Sequence, residues 1–295
     1  MVSLSPTSLP IVSASWLAEN LDNPQVVIAD CRFSLADSNR GYQDYQRGHI
    51  PNAHYFHLNH DLSSPVGRHG GRHPLPTIDQ LVKKLESAGV RSGDEAHSTV
   101  VIAYDDSRFA FAARLWWLLR YLGHTQVAVL DGGFQHWQSN GYPVTQDIPS
   151  PQFGHVDLHI QSDRAVDIHH VKDRKDMEGV VLIDSREAAR YRGEREPIDP
   201  IAGHIPGAVN YPWQEVTDDE GLMRSPREQQ QRWTSIHQAD EIIVYCGSGV
   251  TACVNLLSLT CAGIEHAKLY AGSWSDWCSY LIPGDRNQPE MLEGR

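Results

Sequence analysis

Short apolar runs and longer helical-period stretches alternate along this chain. Val100–Ala103, Val127–Leu130 and Ile242–Tyr245 are apolar on both faces, the pattern of parallel strands covered by helices on either side. The segments between them, such as Phe109–Leu122 and Val250–Ala262, carry apolar residues at helical spacing and stop at Gly123 and Gly263, as helices commonly do. Strand alternating with helix predicts an α/β fold with a parallel sheet. In such sheets the binding crevice lies beyond the carboxyl ends of the strands, and Cys246, in "EIIVYCGSGVTAC", sits at such an end.

The pattern occurs twice. "VVIADCRFSLAD" followed by "RGHIPNAHYFHL" is echoed by "VVLIDSREAARY" followed by "AGHIPGAVNYPW". Later, "TVVIAYDDSRFAFAARLWWLLRYLGHTQVAVLDGGFQHW" is echoed by "EIIVYCGSGVTACVNLLSLTCAGIEHAKLYAGSWSDW". Self-similarity at this length predicts two copies of one domain rather than a solenoid of short repeats. The copies are read as residues 1–146 and 160–285, joined through the polar, proline-bearing stretch Thr145–Leu158.

A free cysteine in an apolar strand is usually core filling. Here the filling stops at Cys246. Gly247 and Gly249 open backbone conformations closed to other residues and let a ligand approach the main chain. Running into a helix N-terminus through Ser248, Val250 and Thr251, such a loop can turn several N–H groups inward and stabilise an anion. The chemistry implied is attack by a sulfur anion, favoured at helix N-termini and beside cations. In the first copy "AYDDS" puts Asp105 where Cys246 stands. A core thiol is not readily exchanged for a carboxylate, so the loop reads as active in the second copy and retired in the first.

Composition narrows the class. The 295 residues carry a net charge of −12, which argues against a nucleic acid or an anionic membrane as partner. The opening "MVSLSPTSLPIVSASWLAENL" lacks the basic region and apolar core of a secretory signal, and no apolar run approaches the roughly 18 residues of a membrane span. Four of the five cysteines (Cys246, Cys253, Cys261, Cys278) fall in the last fifty residues without a CxxC pair. That argues against a structural zinc ribbon and points to a reduced, cytoplasmic protein with free thiols.

"CGSGVT" after an apolar strand, in the second of two repeated domains with "GHIPGA"-type turns and "LDGGFQHW"/"AGSWSDW" segments, resembles the tandem-domain rhodanese-family sulfurtransferases. The loop is more similar to 3-mercaptopyruvate sulfurtransferases than to thiosulfate sulfurtransferases, which carry a cationic "CRKGVT". The resemblance implies two rhodanese-like α/β domains, the first catalytically inactive, and a persulfide on Cys246. Sulfur would be taken from a small anionic donor, 3-mercaptopyruvate or thiosulfate, and passed to cyanide or a thiol, with a reductant such as thioredoxin as a further partner and no cofactor or metal. It implies that Arg190 anchors the donor's anionic end and that Arg186 supports the site by ion pairing. It also implies a relay of Ser248, His73 of "GRHPLP" and an acidic member for which Asp61 is the candidate, although Asn59 matches that position more closely. The family's second substrate arginine, in a "PEPRDG" stretch, has no match in "EREPIDP"; Arg195 there reads as a solvated surface charge.

Other features are read as structural. His54, His57 and His60 lack a Cys or acidic partner for a metal. His49 and His204 recur in both copies, including the retired one. Cys253, Leu257 and Cys261 form one buried helical stripe, and "LWWLL" is a helix packed on a sheet. Trp213 and Trp274 are candidates for pocket wall or core. The rival functions are a cysteine phosphatase and a non-catalytic sulfur-carrier or binding module. The first would need an arginine where Ala252 stands, to clamp phosphate bidentately. The second is opposed by the intact loop.

Overall fold

The protein, a computed structural model described over residues 10–93 and 98–282, consists of two α/β halves built on one plan. Residues 1 and 285, the outer bounds read from the sequence, lie outside the described residues. The first half contains β1 (Ile11–Val12), β2 (Val26–Asp30), β3 (Ala53–Tyr55), β4 (Val100–Tyr104) and β5 (Val127–Leu130). The second contains β6 (Ala165–Val166), β7 (Val180–Asp184), β8 (Val209–Asn210), β9 (Glu241–Tyr245) and β10 (Lys268–Tyr270). The sheets run β1-β5-β4-β2-β3 and β6-β10-β9-β7-β8, and every strand pair is parallel. The register repeats as well: Asp30 faces Tyr104 in one sheet, and Asp184 faces Tyr245 in the other.

Parallel strands need both faces covered, and both are. Helices Ala112–Tyr121 and Ala252–Cys261 lie between the two sheets and pack on each other, sharing one apolar core. Both are apolar nearly all round, as a helix buried on every side must be. Trp116 and Trp117 fill the first; Cys253 and Leu257 lie buried in the second. The outer faces are closed by helices that bury Leu17 and Trp137 in one half, and Val171 and Trp277 in the other.

The polar stretch after residue 144 is tied to the first half. Thr145 exchanges backbone bonds with His49 at 2.9 Å, and Gln152, Gly154 and His155 donate to the carbonyls of Ser87, Glu86 and Val90. These amides have no strand or helix to satisfy them and find partners on the domain surface. His49 and His204 are matching pegs: each stacks on the tyrosine of its own copy, Tyr45 or Tyr191, with Nδ1 on that tyrosine's carbonyl at 2.8 and 2.7 Å. Among the described residues no helix is long and apolar enough to cross a membrane.

Candidate active site

Cys246 follows β9 directly and lies at the wall of a cleft of about 560 Å³ where the two halves meet. Its backbone is pinned from the opposite loop. The Cys246 N–H donates to Ser273 Oγ at 3.1 Å, and its carbonyl accepts from the Trp274 N–H at 3.0 Å. Ser273 holds φ at 56°, a region unfavourable to non-glycine residues, in the place where the first half uses Gly133 at φ 58°. Strain of this sort persists only where the surroundings over-determine it. Gly249 has φ 75°, and a Cβ there would collide with the Ala271 carbonyl, so this glycine is required twice over.

The first half shows what a loop at this place in the frame can hold. The Asp105 carboxylate is fully buried and accepts the N–H groups of Ser107, Phe109, Phe111 and Ala112 at 2.7 to 3.1 Å. Burial raises its pKa and the N–H groups of Ala112, Ser107 and Phe111 oppose the rise, leaving it at about 6. The frame thus forms an anion nest at the strand end, and the first half fills it with its own side chain. In the second half the loop from Cys246 to Ala252 is one residue shorter than Asp105 to Ala112. Among the described residues the N–H groups of Gly247, Ser248, Gly249, Val250 and Thr251 meet no internal acceptor.

Ser248 and His73 meet across the halves: Ser248 Oγ is 2.8 Å from His73 Nδ1, and both side chains are buried. Burial, with Arg114 and Arg72 adding to it, lowers the His73 pKa to about 4. A neutral ring at physiological pH can accept the hydroxyl proton on Nδ1. Asp61 is placed elsewhere. Its Oδ2 accepts the His57 N–H at 2.7 Å and faces Lys84 Nζ at 3.4 Å, and no bond joins it to His73. Asn59 donates its N–H to His57 Nδ1.

No carboxylate bonds the Ser248–His73 pair among the described residues; the segments that carry it are braced by Arg114, a residue not singled out from the sequence, in the helix of "LWWLL". This arginine is 0% exposed. It donates to the carbonyls of Gly249 at 3.0 Å, His73 at 3.2 Å and Leu62 at 3.4 Å. One buried guanidinium therefore ties the thiol loop of the second half to the histidine segment of the first. The legible signal was a charge set directly before the apolar run Leu115–Leu119.

The arginines divide by role. Arg186 is buried with its donors committed: Nε and Nη2 to Asp184, Nη2 also to the Gly203 carbonyl, and Nη1 to Glu196. Arg32 makes the equivalent bonds to Asp30 and the Gly48 carbonyl in the first half, which marks the arrangement as part of the frame. Arg190 sits at the mouth of the nest, held by Glu196 at 2.7 Å and Asp199 at 3.1 Å. Arg195 is 64% exposed in its side chain and lies 3.7 Å from Glu187. Arg72 of the first half also lies against Gly247 and pairs with Asp199. It was missed because nothing in "GRHPLP" says which way its side chain reaches.

The remaining candidates are accounted for by packing. Cys253 and Cys261 are buried, and burial pushes both thiols up to about 12. Trp274 is core, donating Nε1 to the Ile201 carbonyl, while Trp213 lines the cleft. Both ring nitrogens of His57 are taken by backbone groups, Ser38 and Asn59.

Comparison with known proteins agrees with the duplicated plan. The rhodanese-like domain family matches residues 13–140 and again 167–280. A Pseudomonas aeruginosa protein named "Probable 3-mercaptopyruvate sulfurtransferase" is 41% identical over 92% of this chain and 95% of its own length. A Mycobacterium tuberculosis relative named for thiosulfate sulfurtransfer is 37% identical over 91% of this chain and 94% of its own. Among solved structures, the Escherichia coli 3-mercaptopyruvate sulfotransferase aligns with a TM-score of 0.77 and 32% identity, covering 90% of this chain and 99% of that one.

Proposed function

This chain belongs to the rhodanese family and is a sulfurtransferase; we propose that Cys246 carries the sulfur as a persulfide and that 3-mercaptopyruvate is the preferred donor. The observation that carries the assignment is the filled nest of the first half. Four N–H groups close on the Asp105 carboxylate, and Cys246 occupies the same place in a loop whose N–H groups remain available. A thiolate there, and then the terminal sulfur of a persulfide, takes the position of an anion the frame is shaped to hold.

In the proposed reaction the Cys246 thiolate attacks the donor sulfur and the carbon–sulfur bond breaks. Its electron pair passes to carbon as the enolate of pyruvate. The donor's S–H proton is collected by Ser248 backed by neutral His73 and returned to the enolate carbon, so one persulfide and one pyruvate result. Arg190 anchors the donor's carboxylate, and Arg186 holds the frame beneath it. Asp61 is assigned no part. A thiol or cyanide then removes the outer sulfur; thioredoxin suits a reduced cytoplasmic setting, in keeping with five free, buried cysteines.

The preference for 3-mercaptopyruvate over thiosulfate rests on charge. Arg72, Arg186 and Arg190 are paired with Asp184, Glu196 and Asp199, so this cluster has no surplus of positive charge for a dianion. A monoanion that also needs its thiol proton handled suits the site better. A phosphatase is disfavoured because Ala252, fully buried at the helix start, offers no guanidinium to a phosphate. The deciding assay measures cyanide-dependent thiocyanate formation with each donor at equal ionic strength. Higher kcat/KM with thiosulfate would overturn the donor assignment.

A further inference from the structure

The two halves share one frame, so a buried polar side chain found in only one of them calls for an explanation. Asn255 is such a side chain. It lies on the helix Ala252–Cys261, which follows the thiol loop, and is 0% exposed. Both protons of its amide are spent: Nδ2 donates to Ser185 Oγ at 2.9 Å and to the Tyr211 carbonyl at 2.7 Å. A carbonyl only accepts, which fixes the end of the amide that points towards Tyr211. Oδ1 is left buried with no donor among the described residues. An unmet buried acceptor is costly and rare in native proteins.

The first half does without the amide. Cys31 and Ser185 hold the same place, each donating its N–H at 2.8 Å to the carbonyl of the facing strand's tyrosine, Tyr104 or Tyr245. The helices Ala112–Tyr121 and Ala252–Cys261 are each 10 residues long, and the fourth residue is Leu115 in one and Asn255 in the other. Cys31 and Leu115 are both buried in the apolar core. The Asp30–Arg32 pair forms beside Cys31 just as Asp184–Arg186 forms beside Ser185. The frame therefore closes on an apolar pair. The polar pair stands in the half that carries Cys246.

What the amide grips lies on one side of the cleft. Ser185 directly precedes Arg186, in the segment that leads to Arg190, and its carbonyl accepts the Trp213 N–H at 2.9 Å. Tyr211 begins the stretch that leads to Trp213 and Gln214. Arg186, Arg190, Trp213 and Gln214 all line the cleft together with Cys246. We propose that Asn255, acting through Ser185 and Tyr211, is a positioning residue that sets these two segments in register with the thiol. This rests on the reading of Cys246 as the sulfur acceptor and Arg190 as the donor's anchor, and adds the group that fixes their spacing. A shift of about 1 Å caused far from the chemistry costs up to a hundredfold in rate. A hydrogen-bonded polar pair specifies one arrangement more sharply than apolar contact does, which is reason to keep it despite the unmet Oδ1.

The test makes the second half apolar where the first half is. Ser185→Ala, Asn255→Leu and the double variant are compared with wild type by urea unfolding and by kcat/KM for 3-mercaptopyruvate. In parallel, Cys246 is alkylated with neutral iodoacetamide and with anionic iodoacetate. The double variant should keep its unfolding midpoint within about 0.5 M urea of wild type, since apolar residues of similar size often replace a buried polar pair at little cost. In Asn255→Leu and the double variant kcat/KM should fall about tenfold or more. The ratio of iodoacetate to iodoacetamide rates should fall about threefold or more as the arginine segment moves. The iodoacetamide rate itself should stay within about twofold of wild type, because the thiol loop is untouched. Ser185→Ala leaves Asn255 on Tyr211 and should show a smaller loss of both kcat/KM and the ratio. A kcat/KM within about twofold of wild type in Asn255→Leu and the double variant would overturn the assignment. So would an iodoacetamide rate that falls in step with kcat/KM, because the damage would then lie in the thiol loop. Should Asn255→Leu and the double variant fail to fold, Ser185→Ala decides, and wild-type values there sink the proposal. Alkylation needs no sulfur transfer, so a falling ratio upholds the positioning role even if wild-type Cys246 carries no sulfur. Persulfide on Cys246 with kcat/KM and the ratio unmoved would remove the Asn255 role alone.

Discussion

His73 and Ser248 belong to different domains, and Ser248 Oγ lies 2.8 Å from His73 Nδ1 with both side chains buried. The contact makes the site a product of the domain interface. Burial at that contact also sets the protonation state of the ring.

The His73 pKa is lowered by burial, then by Arg114 and Arg72, to about 4, whereas an unfolded histidine titrates near 6.5. Above pH 6.5 the ring is neutral folded or unfolded and contributes no pH dependence. As pH falls from 6.5 towards 4 the unfolded chain takes up a proton that the native ring refuses, so stability is lost, by about 3 kcal/mol in all. His73→Asn should flatten this limb in urea titrations taken from pH 7 to pH 4. The kcat/KM profile of the wild type should show no histidine limb between pH 5.5 and 8; one centred near 6.5 would mean that the ring titrates normally.

Arg114→Met removes the brace. Its Gly249 and His73 acceptors lose their donor, at about 1–3 kcal/mol for each one left without a partner. The lost buried charge offsets part of that cost, so a net loss of roughly 2 kcal/mol is expected in thermal or chemical unfolding. The His73 pKa should move upward, because Arg114 is one of the charges holding it down. An NMR titration of the His73 ring reads this directly, and an unmoved value would show that Arg114 acts only through packing.

Cys246→Ser should abolish transfer from either donor, while Cys253→Ser and Cys261→Ser should keep most activity, because burial pushes both thiols up to about 12. Mass spectrometry after donor treatment should find about 32 Da, one sulfur atom, on the Cys246 peptide. The same mass on the Cys253 peptide would relocate the nucleophile.

Arg190→Ala should lower kcat/KM about a hundredfold, as expected for a partly buried, charge-assisted contact that strengthens in the transition state. Arg190→Lys should recover little, since a point charge does not replace a fork. Near wild-type turnover in both variants would place the anion site elsewhere.

Gly249→Ala and Gly263→Ala form a matched pair. Both glycines have positive φ, 75° and 87°, but a Cβ at Gly249 meets the Ala271 carbonyl and one at Gly263 meets nothing within 4 Å. Gly263→Ala should cost about 1–2 kcal/mol, the backbone term alone. Gly249→Ala should cost clearly more and reduce activity by moving the loop. Equal losses in chemical denaturation would show that the close approach to Ala271 relaxes freely.

The alternation of apolar runs and helical stretches, together with the repeat, already determines the duplicated α/β plan. Burial on both faces leaves parallel strands such as Val100–Tyr104 and Glu241–Tyr245 no polar alternation to hide behind. Cys246 was legible for a local reason: a strand end, two glycines and a helix start lie within a few residues of one another. His73 and Arg190 came through the family resemblance, which assigns them to the site but says nothing of what surrounds them. What the tertiary structure alone decided involves residues far apart in the chain whose side chains could have pointed anywhere. Arg72 lies 127 residues from Asp199, which it pairs with, and Arg114 lies 135 from Gly249, whose carbonyl it binds. Asp61 shows the converse, a carboxylate close to the right place in sequence that folding turns towards His57 and Lys84. Local chemistry writes the strand, the turn and the cysteine at the strand end into the sequence. Which charges converge on that cysteine is settled only when two domains close a shared core and bring distant loops to a common cleft.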